Sequence, residues 1–211
     1  LPDVLDGVQQ LESVLRLAGF GSTTEAVAAH TVFLHPDTVR QTEGLPMFPI
    51  ARDPTRRGHV DHESGVMWDD NLSPTLAFLW AARRNKGRDV QFNHVWGSPR
   101  NVQTYTALWN LCATPAFLAK TTDGANHPDV VAILRYHSYA LYGWVPAGET
   151  PPQRPVGYDE LQWAPHPPPV ESVEVLFRDH LRRSPKSRPA VAARLLGWLY
   201  SGFRPDVSMV G

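Results

Sequence analysis

The chain has 211 residues, 42% of them apolar and 19% charged, with 20 Lys+Arg against 21 Asp+Glu. That length is ample to bury a core, and the apolar content with seven Trp excludes global disorder. No window reaches the roughly 18 consecutive apolar residues of a membrane span, and a single cysteine, Cys112, excludes a disulfide framework or a multi-cysteine zinc site. The sequence opens on Leu1, as a processed chain or an excised fragment does. No basic start leads into an apolar stretch there, so the expected compartment is the cytoplasm.

Residues 3–18 place Val4, Leu5, Val8, Leu11, Val14, Leu15 and Leu17 at helical spacing, ending at Gly19. A second helix is predicted from Thr23–Thr24 to about His30, and Pro36–Asp37 opens a short helical turn. From Gly44 to Asn71 the chain reads as irregular, with Pro46, Pro49 and Pro54 and the pair Arg56–Arg57. Ser73–Pro74 is a helix start, leading into Leu76–Arg84 with Leu76, Leu79 and Trp80 as the buried face. Val90, Phe92, His94 and Trp96 then alternate with Gln91, Asn93 and Val95 at strand spacing, and Gly97–Asn101 is a loop by composition. Tyr105–Ala113 is predicted as a second strand, with Tyr105, Ala107, Trp109 and Leu111 on one side. Thr114–Pro115 starts a helix to about Thr122, stopped by Gly124.

A strong helix follows from His127–Pro128 to Gly143. Residues 146–169 are proline-rich, a strap laid over the surface or a linker, with Tyr158, Leu161 and Trp163 favouring packing on the chain's own core. Two last helices are predicted at about 170–183 and 188–201, split by Ser184–Pro185. The whole reads as a mainly helical α+β protein, its helices packed around one small β-β-α unit. The regions are 1–89, 90–123 and 124–211, together one compact domain.

Charge is unevenly spread. Residues 1–50 hold two Arg against six acids, net −4. Arg83, Arg84, Lys86, Arg88 and Arg100 face Asp89 alone across 83–100, and a second basic run holds Arg178, Arg182, Arg183, Lys186, Arg188 and Arg194 against Asp179. Such runs are ordinarily solvated faces, and are also where a nucleic acid backbone would be held.

The polar residues of 90–123 sit where a site would. Asn93–His94 lies near the end of the first strand, Asn110 on the second, and Lys120 and Asp123 on the helix that follows. This segment resembles the ββα-metal core of the HNH endonuclease superfamily. The resemblance implies that His94 activates water, that Asn110 fixes the loop positioning it, and that an acid beside the His and a polar helix residue hold one divalent cation. The sequence departs from that pattern. Asn93 stands where the acid usually precedes the His, the two neighbours face opposite sides of a regular strand, and Lys120 cannot ligate while protonated.

The chemistry also follows from residue types. Cleaving a phosphodiester takes a base for water and positive charge for the leaving oxygen. An imidazole suits the first role at neutral pH. Asn93 and Asp123 offer oxygens to a hard cation, Mg²⁺ before Mn²⁺ or Zn²⁺. Lys120 meets a phosphate, and Arg83, Arg84, Lys86, Arg88 and Arg100 hold the flanking backbone. The expectation is a metal-dependent endonuclease acting on DNA before RNA, to which the resemblance adds a role in restriction or defence. The alternative is a non-catalytic helical module that binds nucleic acid or protein. His59, His62 and Glu63, followed by Asp69 and Asp70, form a competing polar cluster: a metal site, a contact loop or plain surface. Cys112 reads as a small core residue. The terminal helix with Leu195, Leu196, Trp198, Leu199, Tyr200 and Phe203 is core or a homodimer contact.

Overall fold

The computed structural model describes residues 6–123 and 126–197, Asp123 by its backbone alone. Its architecture is mainly helical α+β, as the periodicity predicts. Helix α1 (Gly7–Leu17) starts at Asp6, whose carboxylate accepts the Val8 and Gln9 amides. Helix α2 (Thr23–His30) is bounded as expected. The Ser22 hydroxyl accepts the Glu25 amide, and the Glu25 carboxylate reaches back to the Gly21 amide at 2.7 Å. Helix α3 (Pro36–Arg40) is a single capped turn.

The stretch expected to be irregular holds a three-stranded sheet. Strand β1 (Ile50–Arg52) pairs in parallel with β3 (Val66–Asp69), and β2 (Val60–Asp61) pairs antiparallel on the other side of β3. Strands of two to four residues leave too little alternation for a periodic signal. Helix α4 (Leu72–Ala81) begins one residue before the predicted Ser73 cap, because Asn71 turns the chain in the left-handed region at φ 59. It buries Ala77, Phe78, Leu79 and Trp80.

Strand β4 (Val90–His94) forms as predicted and pairs with β5 (Leu111–Pro115), from Val90↔Pro115 to His94↔Leu111. The predicted strand over 105–113 is a different object. Helix α5 (Val102–Tyr105) and a 3-10 turn (Leu108–Asn110) precede β5. Every residue from 104 to 114 is buried, so the apparent alternation there records burial on all sides and not a two-faced strand. Helix α6 (Ala116–Ala119) tightens into a 3-10 turn at Lys120–Asp123.

Helix α7 (Pro128–Tyr142) runs through the core and stops at left-handed Gly143. The proline-rich strap is docked, not loose. The Ala164 amide donates to Ala28 at 3.0 Å, the His166 Nδ1–H to the Phe33 carbonyl at 3.1 Å, and the Val170 amide to the Thr38 hydroxyl at 3.0 Å. The Trp163 ring stacks on His137 of α7 with centroids 3.5 Å apart, and His137 Nδ1 hydrogen-bonds the Tyr158 hydroxyl at 2.7 Å. Helices α8 (Val173–Arg183) and α9 (Arg188–Leu196) follow. The expected continuation to 201, with Trp198, Tyr200 and Phe203, lies outside the described residues.

Buried side chains from Leu15 of α1 to Ala193 of α9 belong to one hydrophobic core. Gly44 is required within it, since a Cβ there would meet the Trp144 ring at 2.7 Å. Among the described residues no helix is long and apolar enough to cross a membrane.

The strap makes stability depend on acid. Burial, with His166 nearby, pushes the His137 pKa down to about 3. The unfolded ring takes its proton near 6.5, so between those values the unfolded state binds more protons and stability falls as pH falls. Urea denaturation should show about 2 kcal/mol lost through this group between pH 7 and pH 5. His137→Phe, which keeps a ring against Trp163, should lose that pH-dependent part.

Candidate functional site

His94 is the last residue of β4, half-buried, where the chain leaves the hairpin for the long 95–110 loop. Its ring lies on the Tyr105 ring with centroids 5.1 Å apart and planes 15° from parallel. Its Nε2 is 2.8 Å from the Tyr105 carbonyl oxygen. A carbonyl only accepts, so Nε2 carries the proton and the Nδ1 lone pair is the basic position. Burial lowers the His94 pKa, and the nearby Arg52 adds to that against the opposing pull of the Tyr105 carbonyl. The ring is therefore neutral at neutral pH and ready to accept a proton.

Asn110 holds this geometry. It is fully buried, its Oδ1 accepts the Trp96 amide at 2.8 Å and its Nδ2 donates to the Thr104 carbonyl at 3.0 Å. One side chain thus ties the start of the loop to its helical turn, the turn that carries the Tyr105 carbonyl under His94. The Val95 amide adds a 2.9 Å bond to the Asn110 carbonyl.

Other residues reach the site from far away in sequence. Arg52 ends β1 and its amide donates to the Pro99 carbonyl of the loop at 2.7 Å. Its guanidinium lies 3.5 Å from Asp70, while its buried Nε has no hydrogen-bond partner. The Asn71 amide donates to the Tyr105 hydroxyl at 2.7 Å, fixing the ring beneath His94. Asp70 belongs to the polar cluster that stands out in the sequence, and Asn71 directly follows it. Arg52 and Tyr105 carry no local signal of function, because only the pairing of β1 with β3 and the coiling of the loop bring them to His94.

The other expected residues lie elsewhere. The β4–β5 ladder runs without a bulge through Asn93↔Cys112 and His94↔Leu111, so Asn93 and His94 face opposite sides of the hairpin. The Asn93 Nδ2 is buried with no hydrogen-bond partner. Lys120 is exposed on the turn after α6, and α6 starts where Pro115 pairs with Val90, at the end of the hairpin away from His94. Asp123 closes that turn, its side chain outside the description. His59, His62 and Glu63 are exposed around β2, and among the described residues no three His, Cys, Asp or Glu side chains gather to hold a metal. Cys112 is buried, its thiol pushed up to about 12 by burial.

The two basic runs differ. Arg178 pairs with Glu174, Arg182 with Asp179 and Arg188 with buried Asp69. Arg83, Arg84, Lys86 and Arg88 form an exposed turn between α4 and β4 and, like exposed Arg100, make no ion pair among the described residues. The first run is thus available to an anionic partner, whereas Arg178, Arg182 and Arg188 of the second are already paired. Comparison with protein-family models, with curated proteins and with solved structures returns no match.

Asn110→Ala removes both side-chain bonds and leaves the buried Trp96 amide without its acceptor, while the Thr104 carbonyl keeps only the Ala107 amide at 3.3 Å and the Thr106 amide. It should cost about 2–3 kcal/mol in urea denaturation. The ¹H–¹⁵N resonances of the His94 ring should shift as the Tyr105 carbonyl moves, while those of His137 stay in place.

Proposed function

We propose that this chain is an endonuclease of the HNH type, hydrolysing phosphodiester bonds in DNA before RNA, with His94 as its general base. The observation that supports the reading best is the anchoring of His94. Its Nε2–H is held by a loop carbonyl, its Nδ1 lone pair is the proton acceptor, and the loop is clamped by Asn110. In this reading Nδ1 takes the proton of a water that attacks phosphorus. The Arg52 guanidinium, close enough to depress the His94 pKa, faces the negative charge that builds on the phosphate oxygens. Arg83, Arg84, Lys86, Arg88 and Arg100 hold the strand on either side. A homodimer through the C-terminal helices, each copy cutting one strand, belongs to the same proposal.

The divalent cation, Mg²⁺ before Mn²⁺ or Zn²⁺, remains part of the proposal as a requirement of the reaction. The described side chains do not assemble its ligands: Asn93 turns away from His94, and no acid cluster stands beside the ring. Asn93→Ala and Asp123→Ala test the two expected ligands, since loss of either should weaken the Mg²⁺ dependence of cutting. The non-catalytic binding module is the second reading, supported by the unpaired turn 83–88, which can hold a nucleic acid backbone with no chemistry at all.

Plasmid, single-stranded DNA and RNA are incubated with Mg²⁺, Mn²⁺, Zn²⁺ or EDTA. Cutting should stop in EDTA and fall about 10²–10⁴-fold in a folded His94→Ala. The rate should rise with pH along an acid limb lying below 6.5, because burial and Arg52 both lower the His94 pKa. Arg52→Ala should move that limb upward. Cutting that survives in His94→Ala sinks the site, and binding without cutting on every substrate favours the second reading.

A further inference from the structure

A cleft of about 350 Å³ opens between the C-terminal end of α4, the start of β4 and the end of β5. That volume is in the range of small-ligand sites, roughly 300–1,000 Å³. Its walls are mainly apolar: Phe78, Leu79 and Phe92, with the two phenyl centroids 5.4 Å apart, closed below by Pro115. Exposed His30 and Asn85 supply hydrogen-bonding groups, and Arg84 lines one side. Arg84 belongs to the exposed turn whose four cations have no ion pair among the described residues, so the cleft joins an aromatic cavity to an unneutralised positive edge.

We infer that this cleft receives a nucleobase from a nucleic acid strand, with the adjoining phosphate held by Arg84 and the neighbouring turn. A nucleotide is flat and π-faced at one end and anionic at the other, which matches a ring-lined cavity with cations at its rim. The base edge carries donors and acceptors that His30 and Asn85 can meet, whereas an aliphatic anion would leave them unanswered. Phe92 also stands two residues before His94 on the same face of β4, about 6.6 Å along the strand. A strand engaged at His94 therefore passes close to the cleft, and a base drawn into it sets which phosphate meets the histidine. The inference rests on the nucleic acid reading above and adds to it a base subsite that the resemblance does not contain.

A nucleoside monophosphate has no phosphodiester bond, so binding is measured on the wild-type chain without turnover. Calorimetric titration compares thymidine 5′-monophosphate with deoxyribose 5-phosphate and with decanoate. Thymidine monophosphate should bind about tenfold or more tighter than the base-free sugar phosphate. Gly87→Phe fills the cleft from its rim: Gly87 lines it, and a Cβ there meets only the Val90 methyl at 3.7 Å. With its thermal melt unchanged, this variant should lose that tenfold preference. Equal binding of nucleotide and sugar phosphate, or a preference intact in Gly87→Phe, overturns the subsite. Binding of decanoate but not of the nucleotide overturns it in favour of an aliphatic anion. Nucleotide preference in a chain that cuts nothing sinks the nuclease and keeps the subsite; DNA cutting without the preference does the reverse.

Discussion

A charge with no access to water must be answered inside the protein, and Asp69 is such a charge. It closes β3 fully buried, accepts the Ser73 amide at 2.6 Å and pairs with Arg188 at the start of α9. Desolvating a carboxylate is tolerable only where partners fill its lone pairs. Asp69 therefore fixes three things at one point: the end of the small sheet, the first turn of α4 and the docking of the last described helix. The chain on either side of it is constrained in turn. Arg52 is its register partner across the parallel ladder, and Asp70 and Asn71 follow directly, so the residues that approach His94 are placed by the same buried pair.

The site grows from that fixed corner. Asn71 holds the Tyr105 hydroxyl, Tyr105 presents its ring and carbonyl to His94, and Asn110 keeps the loop from moving away. Each of these hydrogen bonds uses a backbone group as one partner, so the imidazole, stacked on the Tyr105 ring, is oriented by main chain that the core already holds. Preorganisation of this kind keeps one ring nitrogen occupied and the other basic. It also keeps the imidazole uncharged, because burial and a guanidinium both oppose the cation.

Much of this was legible in the sequence where local chemistry decides the outcome. Helix α2 is bracketed by a serine cap and a following glutamate. Helix α7 lies between a proline and a glycine, and β4 shows clean alternation because one of its faces is partly exposed. Legibility fails where burial is complete or elements are short. Residues 104–114 are buried on every side, so alternation across 105–111 mimics a strand where the chain is helical turn and 3-10 turn. The sheet of β1, β2 and β3 is held by a parallel pairing from Ile50↔Met67 to Arg52↔Asp69, which no local pattern announces. For the site, His94 and Asn110 were visible as a strand histidine and a following asparagine. Arg52 and Tyr105 were not, since their relation to His94 exists only after the sheet and the loop have formed.

The strap has a consequence for synthesis. His166 meets Phe33, Val170 meets Thr38 and Val173 meets Gln41, all across 132 or 133 residues of chain. A chain emerging from its amino end exposes the α2–α3 surface until residue 173 has left the ribosome. At roughly 5–20 residues per second, that apolar face waits several seconds for its cover. Translation speed through the proline-rich segment, and whatever shields nascent chains in the interval, therefore bear on the yield of folded protein.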